Sequence, residues 1–327
     1  MGINHARIYS ELPDCKLTAI YDSDASACAA AAARFNATAT SSLEEFAALV
    51  DAATVCTPTV THYPIACKLL EQGKHLLVEK PIATTPTEAH EMAALAAEKN
   101  CVLQIGHVER FNPAFTALEE KLTNPRFLEV TRLSPYPNRS LDIGVVLDLM
   151  IHDLEIILHI VRSPVTSYDP VGVSVLGKGG EDIANVRIHF ENGAVANVTA
   201  SRVSQDRVRK IRVFQEDAYL SLDYQHQSGY LLRLARDNEK ESSALGKLIG
   251  LATDSAIVME AHGRRIVREP VLVRKGEPLK NELASFLECA LTGGAPKVTG
   301  KQAADALALA LAISRKIADT AKPSPRQ

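Results

Sequence analysis

The feature that most constrains the fold of this chain is a change of rhythm partway along it. Up to about residue 106, short β-rich runs alternate with helical runs; from residue 171 to about 234, β-rich runs succeed one another with no helix between them. The first pattern builds a parallel sheet with crossover helices and the second a mainly antiparallel sheet. In the first stretch, residues 16–21, 53–56, 75–79 and 102–105 read as strands, and residues 3–12, 25–35, 43–50 and 62–72 as helices. Gly73 ends the last of these, and Thr85-Pro86-Thr87-Glu88 has the form of a capping box with proline at the first helical position, opening a helix to about Lys99. A helix at 112–122, a strand at 127–133 and a long helix at 145–161 lead into the second stretch. Its strands fall at 171–176, 185–190, 194–201, 211–214, 219–224 and 230–234, with Glu191-Asn192-Gly193 as a hairpin turn. Residues 235–265 are polar and unpatterned, and helices at 279–291 and 301–318 close the chain.

At 327 residues the chain exceeds what a single core usually supports. The expected division is a dinucleotide-binding domain over 1–121 and a substrate-binding and oligomerisation domain over 122–327, with the C-terminal helices free to pack back on the first. A formal net charge of −3 leaves no global basic field for nucleic acid or an anionic membrane. Six cysteines (Cys15, Cys28, Cys56, Cys67, Cys101, Cys289) form no Cys-x-x-Cys pair, and several sit in apolar runs, which reads as buried thiols in a reducing compartment. With no signal-peptide pattern and no apolar stretch of bilayer length, the expectation is a soluble, cytoplasmic protein.

A dinucleotide site usually opens with a strand and Gly-x-Gly-x-x-Gly, which sets the pyrophosphate on a helix N-terminus. Here Gly2-Ile3-Asn4-His5 matches the third glycine and the start of that helix, so the strand and the first two glycines are expected upstream of Met1. Asp22 then falls at the end of the second strand, near the spacing of a ribose-binding carboxylate. A carboxylate accepts both ribose hydroxyls and repels a 2′-phosphate; its neighbours Tyr21 and Ser23 bring no arginine, which favours NAD over NADP.

Three further stretches carry chemistry. Thr57-Pro58-Thr59-Val60-Thr61-His62 and Glu79-Lys80-Pro81 each follow a strand, where an open parallel sheet places its ligand loops. Asp148 and His152 stand at i,i+4 on one helix face, so that Asp148 can orient the imidazole or raise its basicity. Each has a plainer reading: a solvated strand-end lysine, and an Asp–His pair on the surface of an amphipathic helix. Glu155 and His159 extend the polar stripe at a spacing zinc or iron accepts, but no second Cys/His cluster accompanies them and no metal is expected.

Together these residues resemble the Gfo/Idh/MocA family. The likeness runs from Gly2-x-x-His5-x-Arg7 through Asp22, Thr57-Pro58, Glu79-Lys80-Pro81 and Asp148-x-x-x-His152 to Glu277-Pro278-Leu279-Lys280-Asn281-Glu282-Leu283. The resemblance implies a Rossmann-type domain followed by an α/β domain whose large, mainly antiparallel open sheet mediates dimers or tetramers. It also implies a cis Lys80–Pro81 bond, and Lys80, His152 and Asp148 lining a nicotinamide–substrate cleft. Gly106-His107-Val108-Glu109-Arg110-Phe111-Asn112-Pro113 resembles the branch that oxidises nucleotide-linked amino sugars, with the 3-hydroxyl of UDP-N-acetylglucosamine as the implied target and a 3-keto sugar for transamination in lipid A-type biosynthesis as the product. In that branch Arg110 and Asn112 reach substrate, and Arg202, with Arg207, Arg209 and Lys210, offers charge for a diphosphate; an exposed, solvated strand edge is the alternative for that run. The expected chemistry has His152 as base and Lys80 stabilising the alkoxide. A dehydrogenase of a free sugar or inositol, and a non-catalytic NAD- or sugar-sensing protein of the same fold, are the competing readings.

Overall fold

Leu76, Leu77 and Val78 are each fully buried. Such an unbroken apolar run belongs to a strand covered on both faces, as in the centre of a parallel sheet. In the computed structural model, which describes residues 1–136, 143–176, 180–235, 256–261 and 263–320, these residues lie in β4 (His75–Glu79), between β3 (Ala52–Val55) and β5 (Leu103–Gly106), all parallel. A separate parallel pair, β1 (Ala19–Ile20) and β2 (Thr38–Ala39), makes the second piece of sheet. Among the described residues the strand expected over 16–21 keeps two residues in its ladder, and β1 pairs with β2 alone.

The chain divides into two compact units, Met1–Phe111 with Glu277–Ala308, and Asn112–Gly276 with Leu309–Gln327, so residues 112–121 group with the second. In the first unit the helices are α1 (Gly2–Glu11), α2 (Ala25–Phe35), α3 (Leu43–Leu49), α4 (His62–Glu71) and α5 (Pro86–Glu98). The caps are local chemistry: Asp24 accepts from the Ser26 and Ala27 amides at α2, and Thr85 with Glu88 forms the anticipated capping box at α5. Each such cap contributes about 1 kcal/mol. Gly73 takes φ 74° just past α4, a left-handed stop that suits glycine.

The second unit opens with α6 (Pro113–Glu119) and β6 (Pro125–Leu133). The helix expected over 145–161 is a π-helical turn, Val146–Met150, running into α7 (Ile151–Val161). Then come β7 (Val165–Val173), β8 (Ile183–Phe190), β9 (Val195–Ser201), β10 (Val208–Gln215), β11 (Ala218–Asp223), β12 (Ser228–Leu234), β13 (Ala256–Ala261) and β14 (Arg264–Val271). Among the described residues they form a nine-stranded sheet ordered β13-β14-β12-β11-β10-β6-β9-β8-β7. Only β6 and β9 pair in parallel, so the sheet is mainly antiparallel, as the strand succession predicts. Alternate residues of β8 (Ala184, Val186, Ile188, Phe190) are buried, and α7 turns Ile151, Leu154, Ile157 and Ile160 inward. Arg132 of β6 grips Asp153 of α7 through two bonds of 2.7 Å, both side chains buried. The unpatterned stretch 235–265 holds β13 and the first two residues of β14, the rest of which follows it; residues 236–255 lie outside the described ones. Helices α8 (Pro278–Thr292) and α9 (Gly300–Thr320) close the chain. Among the described residues no helix is long and apolar enough to cross a membrane. The six cysteines are free thiols, with Cys28 and Cys289 buried and the other four only partly so.

Candidate active site

The first unit gathers its polar groups at the carboxyl ends of its parallel strands, where such sheets bind ligands. At α1, Met1 is the N-cap and supplies no side-chain cap, while Gly2 packs at the end of β3: a Cβ on Gly2 would sit 3.8 Å from that of Cys56. Asn4 is exposed in the same first turn. Asp22 is exposed just past β1 and accepts from the Asp24 amide at 2.9 Å, with Tyr21 and Ser23 as its chain neighbours. Thr57 and Pro58 follow β3. His62, almost fully buried, ties their loop to the next: Nε2 lies 2.8 Å from the Thr57 carbonyl oxygen and Nδ1 2.9 Å from that of Pro81. A helix start lacking a side-chain cap, an accessible carboxylate one strand away and a braced loop between them form a donor set that fits a dinucleotide.

Glu79 organises the end of β4. Its Oε1 lies 3.0 Å from His5 Nε2, and its Oε2 accepts from the Lys80 amide at 3.2 Å. Gly106 permits this: a Cβ there would stand 3.1 Å from Glu79 Cδ and 3.2 Å from its Cα. The Lys80–Pro81 bond is cis, as the resemblance implies. Lys80, partly buried, shares its surroundings with His107 and Arg110: burial first, then the charges of Lys80 and Arg110, pushes the His107 imidazole down to about 3 and keeps it neutral. Sequence reading quoted His107 only within the segment after β5; the available signal was an imidazole one residue past a parallel strand. Arg110, buried, donates from Nη2 to the Lys297 carbonyl at 3.4 Å.

His5, Cys56 and Glu79 also bring potential metal-ligating atoms within 4.8 Å of one another. Burial and the nearby Glu79 charge push the Cys56 thiol well up, so it is held protonated, and Glu79 is already engaged by His5 and the Lys80 amide. In this arrangement His5 holds Glu79 in place at the end of β4.

In the second unit Asp148 lies in the π turn and His152 in the first turn of α7. Residues at i and i+4 share a face at 3.6 residues per turn; the π turn bonds i to i+5 and is wider, a distortion common at functional sites. Asp148 is buried and His152 partly exposed. His159 meets Glu119 of α6, which accounts for that part of the polar stripe. Asn112 caps α6: its Oδ1 accepts from the Ala114 amide at 3.1 Å and its Nδ2 donates to the Tyr224 carbonyl at 3.1 Å. Arg202 is almost fully buried, with Nε 2.9 Å from Asp182 Oδ1 and Nη1 2.6 Å from the Ile143 carbonyl. Burial opposes the Asp182 charge, but the Leu176 amide, Arg202 and the Val175 amide outweigh it and hold that carboxyl below its usual range. As a diphosphate ligand Arg202 would have to give up these partners. Arg207 and Lys210 are exposed and Arg209 partly so.

Residues 1–107 match the oxidoreductase family with an NAD-binding Rossmann fold, and residues 119–221 match the GFO/IDH/MocA C-terminal domain. UDP-N-acetylglucosamine 3-dehydrogenase of Acidithiobacillus ferrooxidans is 37% identical over 229 residues, covering 68% of this chain and 71% of that protein. A solved structure of that enzyme aligns with a TM-score of 0.83 and 31% identity, covering 97% of this chain and 94% of that one. Inositol 2-dehydrogenase of Rhizobium meliloti is 24% identical over 98% of this chain and 94% of that protein. Levoglucosan dehydrogenase in complex with NADH and levoglucosan shares the fold at 19% identity, with a TM-score of 0.80 over 98% of this chain and 95% of its own.

Proposed function

This chain belongs to the Gfo/Idh/MocA oxidoreductases and carries their NAD-binding domain, and from that premise we propose that it oxidises the 3-hydroxyl of UDP-N-acetylglucosamine to a ketone. The observation that carries this reading is the 37% identity to a UDP-N-acetylglucosamine 3-dehydrogenase, against 24% to an inositol dehydrogenase. Gly2, Asn4 and His5 at the start of α1, Asp22, Thr57, Pro58, His62 and the Glu79-Lys80 strand end hold the dinucleotide. NAD, when bound, supplies the hydride acceptor. His152 takes the hydroxyl proton at a ring nitrogen, and Asp148 orients that ring. Lys80 places a positive charge against the oxygen as it gains negative charge, while its neighbour His107, held neutral, adds no competing cation. Arg110 and Asn112 hold substrate. The product is a 3-keto amino sugar suited to transamination, made in the cytoplasm by a dimer or tetramer assembled through the nine-stranded sheet. Incubating the protein with NAD and UDP-N-acetylglucosamine, then locating the new carbonyl by carbon NMR, tests this. A ketone at carbon 3 is expected; a ketone elsewhere on the ring, or turnover of myo-inositol alone, contradicts it and favours the polyol reading.

A further inference from the structure

The π turn that carries Asp148 begins at Val145, whose side chain supplies no cap. The first amides of a helix need partners from elsewhere. Here both come from Glu181, 35 residues beyond Val146 and buried just ahead of β8. Its main-chain carbonyl accepts from the Val145 amide at 2.8 Å, and its Oε1 accepts from the Val146 amide at 3.1 Å. A carboxylate at a helix start is also favoured by the helix dipole. The same carboxylate lies against Gly144, where a Cβ would overlap it.

Glu181 therefore touches the two residues from which the turn is hung. The Gly144 carbonyl accepts from the Asp148 amide at 3.1 Å. The Val146 carbonyl accepts from the Ile151 amide, the wide bond of the π turn, one residue before His152. A π turn is rare and persists where its surroundings hold it.

The support of Glu181 is itself rigid. Strands β8 and β9 pair with Ile183 opposite Ser201, so Asp182 and Arg202 meet where the hairpin opens, and the Arg202 amide donates to the Asp182 carbonyl at 3.0 Å. Asp182 Oδ2 accepts from the Val175 and Leu176 amides, each at 2.8 Å, and Oδ1 accepts from Arg202 Nε at 2.9 Å. Arg202 Nη1 then reaches the Ile143 carbonyl, directly ahead of Gly144. Charge-assisted bonds in so buried a setting are costly to break. Residues 143–146 are thus gripped one after another by a single bracket.

We propose that Glu181 is a positioning residue for the oxidation, holding the π turn in the register from which Asp148 orients the His152 ring. Asp182 and Arg202 are its support. The role in the oxidation rests on His152 being the base, as proposed above.

Glu181→Ala removes the acceptor for the Val146 amide, whereas Glu181→Gln keeps an oxygen in its place. The nitrogen NMR signals of the His152 ring, identified by their loss in His152→Gln, report its tautomer and hydrogen bonding at a fixed pH without NAD or sugar. Glu181→Ala is expected to move these signals and Glu181→Gln to leave them near their wild-type positions. In turnover with NAD and UDP-N-acetylglucosamine, Glu181→Ala is expected to lower kcat on the order of 10²-fold with KM for NAD unchanged, and Glu181→Gln to restore most of it. If Glu181→Ala does not fold, Gly144→Ala, which displaces the carboxylate and leaves Glu181 in the chain, carries the same expectations. Wild-type ring signals in the folded variant overturn the proposal, whatever happens to kcat. Equal losses in the Ala and Gln variants overturn it too, because the acceptor oxygen would then not be what positions the turn. A wild-type protein that makes no NADH sinks the reaction and with it the role in oxidation; moved ring signals would still show that Glu181 sets the imidazole.

Discussion

Two buried side chains of the first unit pull its stability in opposite directions with pH. His107 stays neutral in the folded protein down to about 3, whereas the unfolded chain takes up that proton near 6.5. Between those values the unfolded state binds more protons, so stability falls as pH drops below 6.5. Glu282 is the reverse case. Fully buried, with neither carboxyl oxygen hydrogen-bonded among the described residues, it is pushed well above 4.5 by burial and by the charge of Glu79. There the folded state binds more protons, so stability falls as pH rises from 4.5 toward the folded-state value. Thermal melts across pH are expected to show His107→Gln flattening the acid limb and Glu282→Gln flattening the rising-pH limb; unchanged limbs contradict these assignments. For the reaction, His152→Ala and Lys80→Ala are each expected to lower turnover at least about 10²-fold with NAD affinity retained by titration; wild-type turnover in both contradicts their roles. The places of Lys80 at a strand end and of His152 on a helix were legible in sequence, because a strand end and an Asp-x-x-x-His spacing are local patterns. His107 and Glu282 were not, since what distinguishes them is burial, which only the assembled fold creates.

At the scale of elements, Arg132 and Asp153 join β6 to α7, the helix that carries His152. Leaving either charge buried alone costs about 3–5 kcal/mol. Urea unfolding of Asp153→Ala is expected to show a loss of that size, and the double variant Arg132→Met/Asp153→Leu to recover most of it; a loss under about 1 kcal/mol would remove the pair from the account. Helices with caps were readable to within a residue or two: α2 begins and ends where the sequence places it, and α5 starts at its capping box. The π turn was not, because Val146–Met150 carries no glycine, proline or other local mark of a widened turn. Strand β14 escaped notice because its charges satisfy one another across the sheet. Arg233 of β12 meets Glu269 at 2.9 Å, and Arg268 stacks 4.4 Å from the Tyr230 ring centroid. In sequence Tyr230 and Arg233 fall in the strand expected over 230–234, whereas Arg268 and Glu269 lie in a stretch with no expected element.

For the whole molecule, the switch from alternating to consecutive strands was enough to foresee a parallel sheet followed by a mainly antiparallel one. Assembly was not legible, because an oligomer interface leaves no periodic signature in one chain. Light scattering is expected to give the mass of a dimer or tetramer; a monomer at micromolar concentration contradicts assembly through the sheet. The account as a whole turns on hydride transfer from an amino-sugar nucleotide to NAD with His152 as base. Its most direct test is the initial rate of NADH formation, followed by near-ultraviolet absorbance, for wild type and His152→Ala with UDP-N-acetylglucosamine. The account predicts steady NADH production by the wild-type protein, reduced at least about 10²-fold by the substitution. Equal rates in the two proteins, or no NADH from the wild type with this sugar, would contradict it.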